Sequence, residues 1–219
     1  MHIQAYDVCK EYEVAKPVLS KLSFDLPSGT TLGISGPSGG GKSTLLQLMG
    51  LLDKPTAGQV THNGSDITAL SFKAQARYRS EHIGYVFQQY ALLEKRTVWE
   101  NVALPLLYQN QTKHQAKRAA IERLEALEMG AWAWRKVANL SGGQKQRVAV
   151  ARALVTQPSL IIADEPTGAL DNKLRDVVWD MLKAAQSSNN ATLIVVSHDP
   201  TLIKRCSLHW QIHEGGLCV

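Results

Sequence analysis

A glycine-rich stretch near the start of the chain has the residue types and the spacing that bind phosphate groups. Residues 36–43 read Gly-Pro-Ser-Gly-Gly-Gly-Lys-Ser and match the pattern G-x-x-x-x-G-K-[ST]. The glycines let backbone N–H groups converge on phosphate oxygens, and the helix that follows adds its positive dipole end. We expect Lys42 to reach the terminal phosphates and the Ser43 hydroxyl to ligate Mg²⁺. A glycine-rich turn before an ordinary helix is the alternative. We call residues 36–43 the phosphate loop.

Residues 140–144, Leu-Ser-Gly-Gly-Gln, predict a second anion site. Ser141 and Gln144 have the spacing of a capping box, so a helix should begin here. Gly142 and Gly143 leave the N–H groups of the first turn uncovered, which favours an anion at that position. Plain helix capping is the alternative, but capping does not call for two adjacent glycines, each of which weakens a helix by about 1 kcal/mol.

Two adjacent carboxylates follow a continuous apolar run. Residues 160–163, Leu-Ile-Ile-Ala, predict a strand buried on both faces, and Asp164 and Glu165 come directly after it. Because strand side chains alternate in direction, the two carboxylates cannot point the same way. This arrangement allows one to hold Mg²⁺, directly or through water, while the other faces the γ-phosphate of a nucleotide. A surface turn that caps the next helix is the alternative, and the apolar run argues against it.

Gln88 and His198 are predicted at the ends of two further strands, over residues 83–87 and 192–197. Residues that face a ligand gather at the carboxyl ends of the strands in an α/β sheet. A single histidine at a strand end is more often structural than catalytic. Here the same sheet edge is expected to carry Gln88 and both carboxylates, which favours a functional role for His198.

The elements that position these residues are typical of an α/β protein. Residues 30–35 predict a strand before the phosphate loop, and residues 44–49 predict a helix after it. Alternating apolar and polar residues over 18–26 predict a half-buried strand. Residues 91–156 carry mostly helical signals and interrupt the alternation of strands and helices. We therefore predict an α/β core with a helical subdomain inserted at about residues 91–156.

Length and composition fit one globular domain. The chain has 219 residues, of which 44% are hydrophobic and 20% charged, and a net charge of +5. The charge permits contact with anionic lipid surfaces or polyanions but does not require it. No apolar run reaches the roughly 18 residues of a membrane span, and no secretory signal is recognisable at the N-terminus. Three scattered cysteines indicate reduced thiols in a cytosolic compartment.

The C-terminal part of the chain brings cysteines and histidines close together in sequence. Cys206, His209, His213 and Cys218 could in principle form a Zn²⁺ site. Scattered thiols and histidines on strands are the interpretation that we favour.

Together the phosphate loop, the glutamine loop, the 140–144 segment, the acidic strand end and the downstream histidine resemble the ATP-binding cassette (ABC) ATPases. The resemblance covers essentially the whole chain, residues 1–219, as a single domain. It implies a P-loop NTPase (RecA-like) α/β core with an N-terminal antiparallel β subdomain and the inserted helical subdomain. The stretches at 50–56, 82–88, 100–106 and 163–171 resemble the ATPases of macrolide export and lipoprotein release.

The resemblance also implies residue roles. Tyr12 stacks on adenine, Gln88 contacts Mg²⁺ or the attacking water and senses the membrane partner, and Asp164 supports Mg²⁺. Glu165 is the general base that polarises water, and His198 contacts the γ-phosphate. Residues that hold the phosphates are Gly36, Pro37, Ser38, Gly39, Gly40, Gly41, Lys42, Ser43 and Thr44.

In this family the 140–144 segment, called the signature, binds the ATP that the other subunit holds. Ser141, Gly142, Gly143 and Gln144 would therefore serve a second copy of the chain, and Asp171 would communicate across the dimer. Two chains would sandwich two ATP molecules head to tail, with Mg²⁺ at each site.

The resemblance implies the ATP-hydrolysing subunit of a bacterial ABC transporter, powering a separate permease, with an exporter or lipoprotein-release system favoured. It would lie at the cytoplasmic face of the inner membrane and bind no nucleic acid. An importer ATPase and a mechanical ATPase, such as one of cell division, are alternatives. ATPases of DNA repair, chromosome handling or translation usually have a coiled-coil insertion, zinc modules or two cassettes in one chain, and we find none of these. Intact Glu165 and His198 argue against a subunit that has lost catalysis.

Three features depart from the family pattern. Gly40 stands where relatives often have serine, which could make the loop more flexible and affect ATP affinity. Residues 136–139 lack a Tyr-Pro pair that relatives often carry. Trp132 and Trp134 are unusual, and we expect core packing for both, with docking against a permease as the alternative.

Overall fold

The computed structural model describes residues 1–13, 16–168, 170 and 172–218. Its central sheet has six strands in the order β10-β9-β3-β8-β7-β6. The strands from β9 to β6 run parallel, and β10 pairs antiparallel with β9. The strands of this sheet are β3 (Thr31–Ser35), β6 (Ile83–Val86), β7 (Leu160–Asp164), β8 (Thr192–Val196), β9 (Leu208–His213) and β10 (Gly216–Cys218).

A second sheet of four antiparallel strands has the order β2-β1-β4-β5. Its strands are β1 (Ile3–Glu13), β2 (Lys16–Leu26), β4 (Ala57–His62) and β5 (Ser65–Asp66). Leu22, Phe24 and Leu26 face the core in alternation with exposed residues of β2, as the sequence pattern predicted. A register shift before Leu22 leaves the buried Leu19 three residues away, outside that alternation. The expected antiparallel sheet beside an α/β core is therefore present.

Seven helices accompany the two sheets in the described part of the chain. They are α1 (Lys42–Met49), α2 (Phe72–His82), α3 (Val98–Tyr108), α4 (Lys113–Ala126), α5 (Gly142–Leu154), α6 (Asn172–Asn189) and α7 (Pro200–Ile203). Helices α3, α4 and α5 share a hydrophobic cluster of their own, built around Val102, Leu124 and Val148. The helical segment expected between the strands thus has its own packing, while the division of the chain into subdomains stays a prediction.

Parallel pairing gathers the carboxyl ends of the central strands at one edge of the sheet. Ile34 of β3 lies opposite Val196 of β8, and Asp164 of β7 lies opposite the same valine. Val86 of β6 pairs with Ala163. The residues that follow β3, β6, β7 and β8 therefore meet at this edge, as expected for a doubly wound α/β sheet.

The C-terminal cysteines and histidines do not form the zinc arrangement. Among the described residues no group of three or more His, Cys, Asp or Glu side chains lies close enough to hold a metal ion. His209 is instead bonded through Nε2 to the Ser35 hydroxyl at 2.8 Å. Burial raises the pKa of the Cys206 thiol to about 11. The structure supports separate thiols and histidines on strands.

The two unusual tryptophans have different environments. Trp132 packs partly buried against the helical cluster, so the expectation of core packing is correct for it. Trp134 is 61% exposed, and there the expectation is wrong. The Lys117 ammonium covers the Trp134 ring at 4.5 Å, a cation–π contact that stabilises an exposed aromatic side chain. Within the ranges described above, no helix is long and apolar enough to cross a membrane.

Candidate active site

The phosphate loop connects β3 to α1 with a backbone that requires glycine. Gly36, Gly39 and Gly41 have φ angles of 143°, 78° and 102°. A Cβ atom on Gly36 would lie 2.1 Å from the carbonyl oxygen of Ile212, so only glycine fits against β9. Gly41 is the N-cap of α1 and leaves the helix N-terminus without a side-chain cap. Uncapped N–H groups at a helix start favour an anion.

Lys42 places its charge inside the phosphate loop. Its side chain is 7% exposed, and its ammonium donates to the carbonyl oxygens of Gly36 at 2.9 Å and Pro37 at 2.8 Å. The loop thus curls around a fixed cation, as phosphate binding requires. The other predicted phosphate-binding residues differ in exposure: Pro37, Ser38, Gly39 and Ser43 are exposed, Gly36 is half-buried, and Gly40, Gly41 and Thr44 are buried.

A hydroxyl and a carboxylate meet beside this cation. Ser43 Oγ donates to Asp164 Oδ2 at 3.2 Å, although the two residues are far apart in sequence. Burial raises the pKa of Asp164, while the Ser43 hydrogen bond and the Lys42 charge act in the opposite direction. A partly buried carboxylate next to an exposed hydroxyl offers the hard oxygen ligands that Mg²⁺ takes, so these residues fit that ion.

Glu165 turns away from β7 through a left-handed backbone. Its φ is 46°, and its N–H donates to the carbonyl oxygen of Val196 at 3.0 Å. Ser197 Oγ approaches Oε2 at 3.5 Å. Oε1 is buried without a hydrogen bond in the described structure and lies 3.6 Å from Nε2 of His198.

The environment of Glu165 favours proton acceptance. Burial raises the pKa of this carboxyl group and the neighbouring Asp164 adds to the rise, while His198 lowers it. A half-buried carboxylate with a raised pKa is suited to general base catalysis. His198 itself follows β8 and is exposed.

Gln88 lies in an exposed turn after β6. Since β6 pairs with β7, this turn begins at the strand end next to the one that carries Asp164. The structure brings Gln88 to the same sheet edge, as the sequence predicted.

The signature forms a complete capping box at the start of α5. The Ser141 hydroxyl accepts from the Gln144 N–H at 3.3 Å, and the Gln144 side chain accepts from the Ser141 N–H at 2.9 Å. Ser141 and Gly142 are exposed, and Gly143 is half-buried. The predicted cap is confirmed, while anion binding at this terminus stays a prediction.

Tyr12 and the phosphate loop border a common cavity of about 300 Å³. Tyr12 is 57% exposed, and its hydroxyl has two acceptors within hydrogen-bond distance, Asp53 Oδ2 at 3.1 Å and Gln47 Oε1 at 3.3 Å. These two partners orient the ring, but no sequence motif identified them, because they lie on elements far from Tyr12 in the chain. Asp171 lies outside the described residues.

Comparisons with known proteins agree with this geometry. The sequence profile of the ABC transporter family matches residues 19–168. A dimeric structure of a post-hydrolysis state of the ATP-binding cassette MJ0796, bound to ADP and Pi, is 34% identical with a TM-score of 0.90, covering 97% of this chain and 95% of that chain. A dimeric structure of MJ0796, described as a bacterial ABC transporter cassette, is 35% identical with the same TM-score and coverage.

Proposed function

Because the chain belongs to the ABC transporter family and is an ATPase, we propose that it is the subunit that hydrolyses ATP to power a separate membrane permease. The observation that carries the proposal is the meeting of three groups at one sheet edge: the Lys42 ammonium inside the phosphate loop, the Ser43–Asp164 pair, and Glu165 beside His198. Phosphoryl transfer depends chiefly on positioning and on neutralisation of charge, and this edge supplies both.

We assign ATP and Mg²⁺ to this site. Lys42 and the loop N–H groups hold the phosphates, and Tyr12 stacks on adenine across the shared cavity. Ser43 and Asp164 hold Mg²⁺, with Gln88 as a further oxygen ligand or a partner of the attacking water. When bound, the ion neutralises charge that develops on the phosphate oxygens.

Glu165 acts as the general base in this proposal. It takes a proton from the water that attacks the γ-phosphate, and its raised pKa supports that role. His198, 3.6 Å from the Glu165 carboxylate, contacts the γ-phosphate.

Two copies of the chain form the working unit. The MJ0796 structures are dimers, which supports a homodimer here. The exposed Ser141 and Gly142 would complete the ATP site of the second copy, and Asp171 would communicate between the sites. ATP then holds the dimer together, and hydrolysis adds charge repulsion that releases it.

An apolar cleft of about 450 Å³ next to Gln88 supports a permease partner. Phe87, Leu104 and Tyr108 contribute to its lining, and Tyr108 is 70% exposed. We propose that a cytoplasmic segment of the permease enters this cleft, which places the chain at the cytoplasmic face of the inner membrane. The sequence stretches named above favour an exporter or lipoprotein-release type.

Co-purification tests the permease. A tagged chain carrying Glu165→Gln, solubilised from its native membrane with ATP, should retain one integral membrane protein at a fixed ratio. Tyr108→Ala should lose that protein. Phe72→Ala removes a side chain that is 81% exposed and lies outside the cleft, and it should retain the partner. Equal recovery from the two alanine variants would contradict docking in the cleft.

A further inference from the structure

The chain that follows Gln88 is fastened to the helical segment rather than to the central sheet. The buried side chain of Asn101, on α3, accepts from the Leu93 N–H at 2.7 Å and donates to the Leu93 carbonyl at 3.1 Å. Arg152, near the end of α5, donates through Nη2 to the Tyr90 carbonyl at 2.7 Å and through Nη1 to the Ala91 carbonyl at 2.5 Å. Gln88 therefore lies between strand β6 and two anchors on the helices.

Arg152 is an unusual anchor because its side chain is half-buried. Burial lowers the pKa of its guanidinium to about 10. Both hydrogen bonds recorded for it go to backbone carbonyl oxygens, which offset desolvation less well than a carboxylate does. A half-buried cation that binds two loop carbonyls indicates that the position of this loop matters.

The backbone at these carbonyls would not hold its shape unaided. Tyr90 and Ala91 are consecutive left-handed residues, with φ angles of 60° and 47°. Non-glycine residues persist in this conformation only where their surroundings impose it. The Tyr90 N–H also donates to the Phe87 carbonyl at 3.0 Å and closes a turn that contains Gln88. Fixing Tyr90 therefore fixes the backbone that carries Gln88.

Tyr90 also reaches the other end of the same helix. Its hydroxyl lies 3.5 Å from the position that a Cβ atom on Gly142 would occupy. The main chain of Tyr90 is thus held by the last turn of α5, while its side chain lies beside the signature at the first turn.

We propose that Arg152 is a positioning residue for ATP hydrolysis: it holds the Tyr90–Ala91 carbonyls so that Gln88 moves with the signature helix α5. The inference rests on the proposed role of Gln88. Arg152 does not contact the nucleotide site itself; it sets where Gln88 stands when α5 docks on a second copy of the chain. Its loss should therefore lower kcat with little change in KM for ATP.

A double-mutant cycle with Gln88 tests this. Steady-state ATPase kinetics are measured for the wild type, Arg152→Gln, Gln88→Ala and the double variant. We expect Arg152→Gln to lower kcat by about tenfold, with KM within about twofold, and to lower it by less than about twofold when Gln88 is already alanine. Arg152→Lys keeps the charge but cannot donate to both carbonyls in the same geometry, so it should give an intermediate kcat. It replaces Arg152→Gln in the cycle if the glutamine variant does not fold.

Arg205→Gln is the matched control. Arg205 also donates through both Nη atoms, to Asp176 at 2.7 Å and Asp180 at 3.3 Å, but it neither lines the cleft nor contacts the Gln88 loop. Its kcat should stay within about twofold of wild type. Equal losses from Arg152→Gln in both Gln88 backgrounds, or an equal loss from Arg205→Gln, overturn the inference alone. If Gln88→Ala leaves kcat unchanged, the proposed role of Gln88 fails and the inference fails with it.

Discussion

A single substitution can separate the shape of the Glu165 side chain from its ability to accept a proton. In Glu165→Gln the side chain keeps its size but cannot accept a proton, so we expect kcat to fall by about 100-fold or more while ATP binding persists. The dimer should accumulate with ATP, measured by analytical ultracentrifugation. Because burial raises the pKa of this carboxyl group, the fold disfavours its charge, and the neutral amide should leave the melting temperature equal or higher.

Glu122→Gln is the control for that substitution, because Glu122 is exposed on α4 and paired with Arg118 at 2.8 Å. It should hydrolyse ATP at the wild-type rate. Unimpaired turnover by Glu165→Gln would remove the assignment of the general base.

The glycines of the phosphate loop should differ sharply in their tolerance of substitution. Gly36→Ala places a Cβ atom 2.1 Å from a backbone oxygen that cannot move aside, and we expect a loss of about 1–3 kcal/mol in ATP binding or in stability. Gly40→Ser meets Pro37 O at 3.1 Å and Ile212 O at 3.3 Å, contacts that small shifts relieve. Nucleotide titration should give Gly40→Ser an affinity within about threefold of wild type. A tenfold change for Gly40→Ser would show that the departure from the family pattern tunes ATP binding.

For single residues, the sequence predicted which side chains belong to the site better than it predicted how they are oriented. The motif predicted Lys42 and Ser43, because the loop pattern carries its own geometry. The left-handed turn that directs Glu165 toward His198 has no signature in the sequence, since it depends on the Val196 carbonyl of another strand. The partners of Tyr12 and the anchoring role of Arg152 were missed for the same reason: each is a contact between elements far apart in the chain.

His62 joins three elements and makes their packing sensitive to acid. It lies on β4, bonds through Nε2 to the carbonyl of Met49 at the end of α1 at 2.9 Å, and approaches the Tyr78 hydroxyl on α2 at 3.3 Å. Burial lowers the pKa of His62 from 6.5 to about 4. Between pH 6.5 and about pH 4 this histidine is protonated in the unfolded chain but neutral in the folded chain. Acid therefore favours unfolding in this pH window.

We expect the free energy of unfolding to fall by up to about 3 kcal/mol from this group alone as the pH drops through that window. In His62→Gln the amide can still donate to the Met49 carbonyl but does not titrate, so urea unfolding at about pH 7 and pH 4.5 should show a smaller difference than in the wild type. His114→Gln, on an exposed position of α4, is the control and should leave the pH dependence unchanged. An unaltered pH dependence in His62→Gln would contradict this account.

Elements with a strong local signal were predicted well. The apolar runs at 160–163 and 192–197 are β7 and β8, buried as expected, and the Ser141–Gln144 spacing marks the first turn of α5. Local sequence did not predict the environment of Trp134, which is exposed and has the Lys117 ammonium of α4 over its ring. Whether a large side chain is exposed depends on which other elements pack over it, and the sequence pattern of one element does not predict that.

For the whole molecule, the phosphate loop and the signature precede helices that pack differently. The loop leads into α1, which packs into the cluster of the central and antiparallel sheets. The signature begins α5, which packs with α3 and α4 on one side and with the central strands β6, β7 and β8 on another. One chain carries one loop and one signature, so the dimer that we propose would pair each loop with the signature of the other copy. In that arrangement an inactive loop and an inactive signature complement each other only when they lie on different chains.

Mixing two inactive variants tests that arrangement. Lys42→Ala removes the cation of the loop, and Gly142→Asp puts a carboxylate at the signature, where the glycine position is open except for the Tyr90 hydroxyl at 3.5 Å. Each variant alone should be inactive, because both sites of its dimer carry the defect. An equal mixture should recover about a quarter of wild-type ATPase activity, since half of randomly paired dimers are mixed and each mixed dimer has one intact site of two.

A chain with both substitutions, mixed with either single variant, should recover nothing. Full inactivity of the first mixture, with mixed dimers demonstrated by mass spectrometry, would show that hydrolysis requires two intact sites or that the signature serves its own chain.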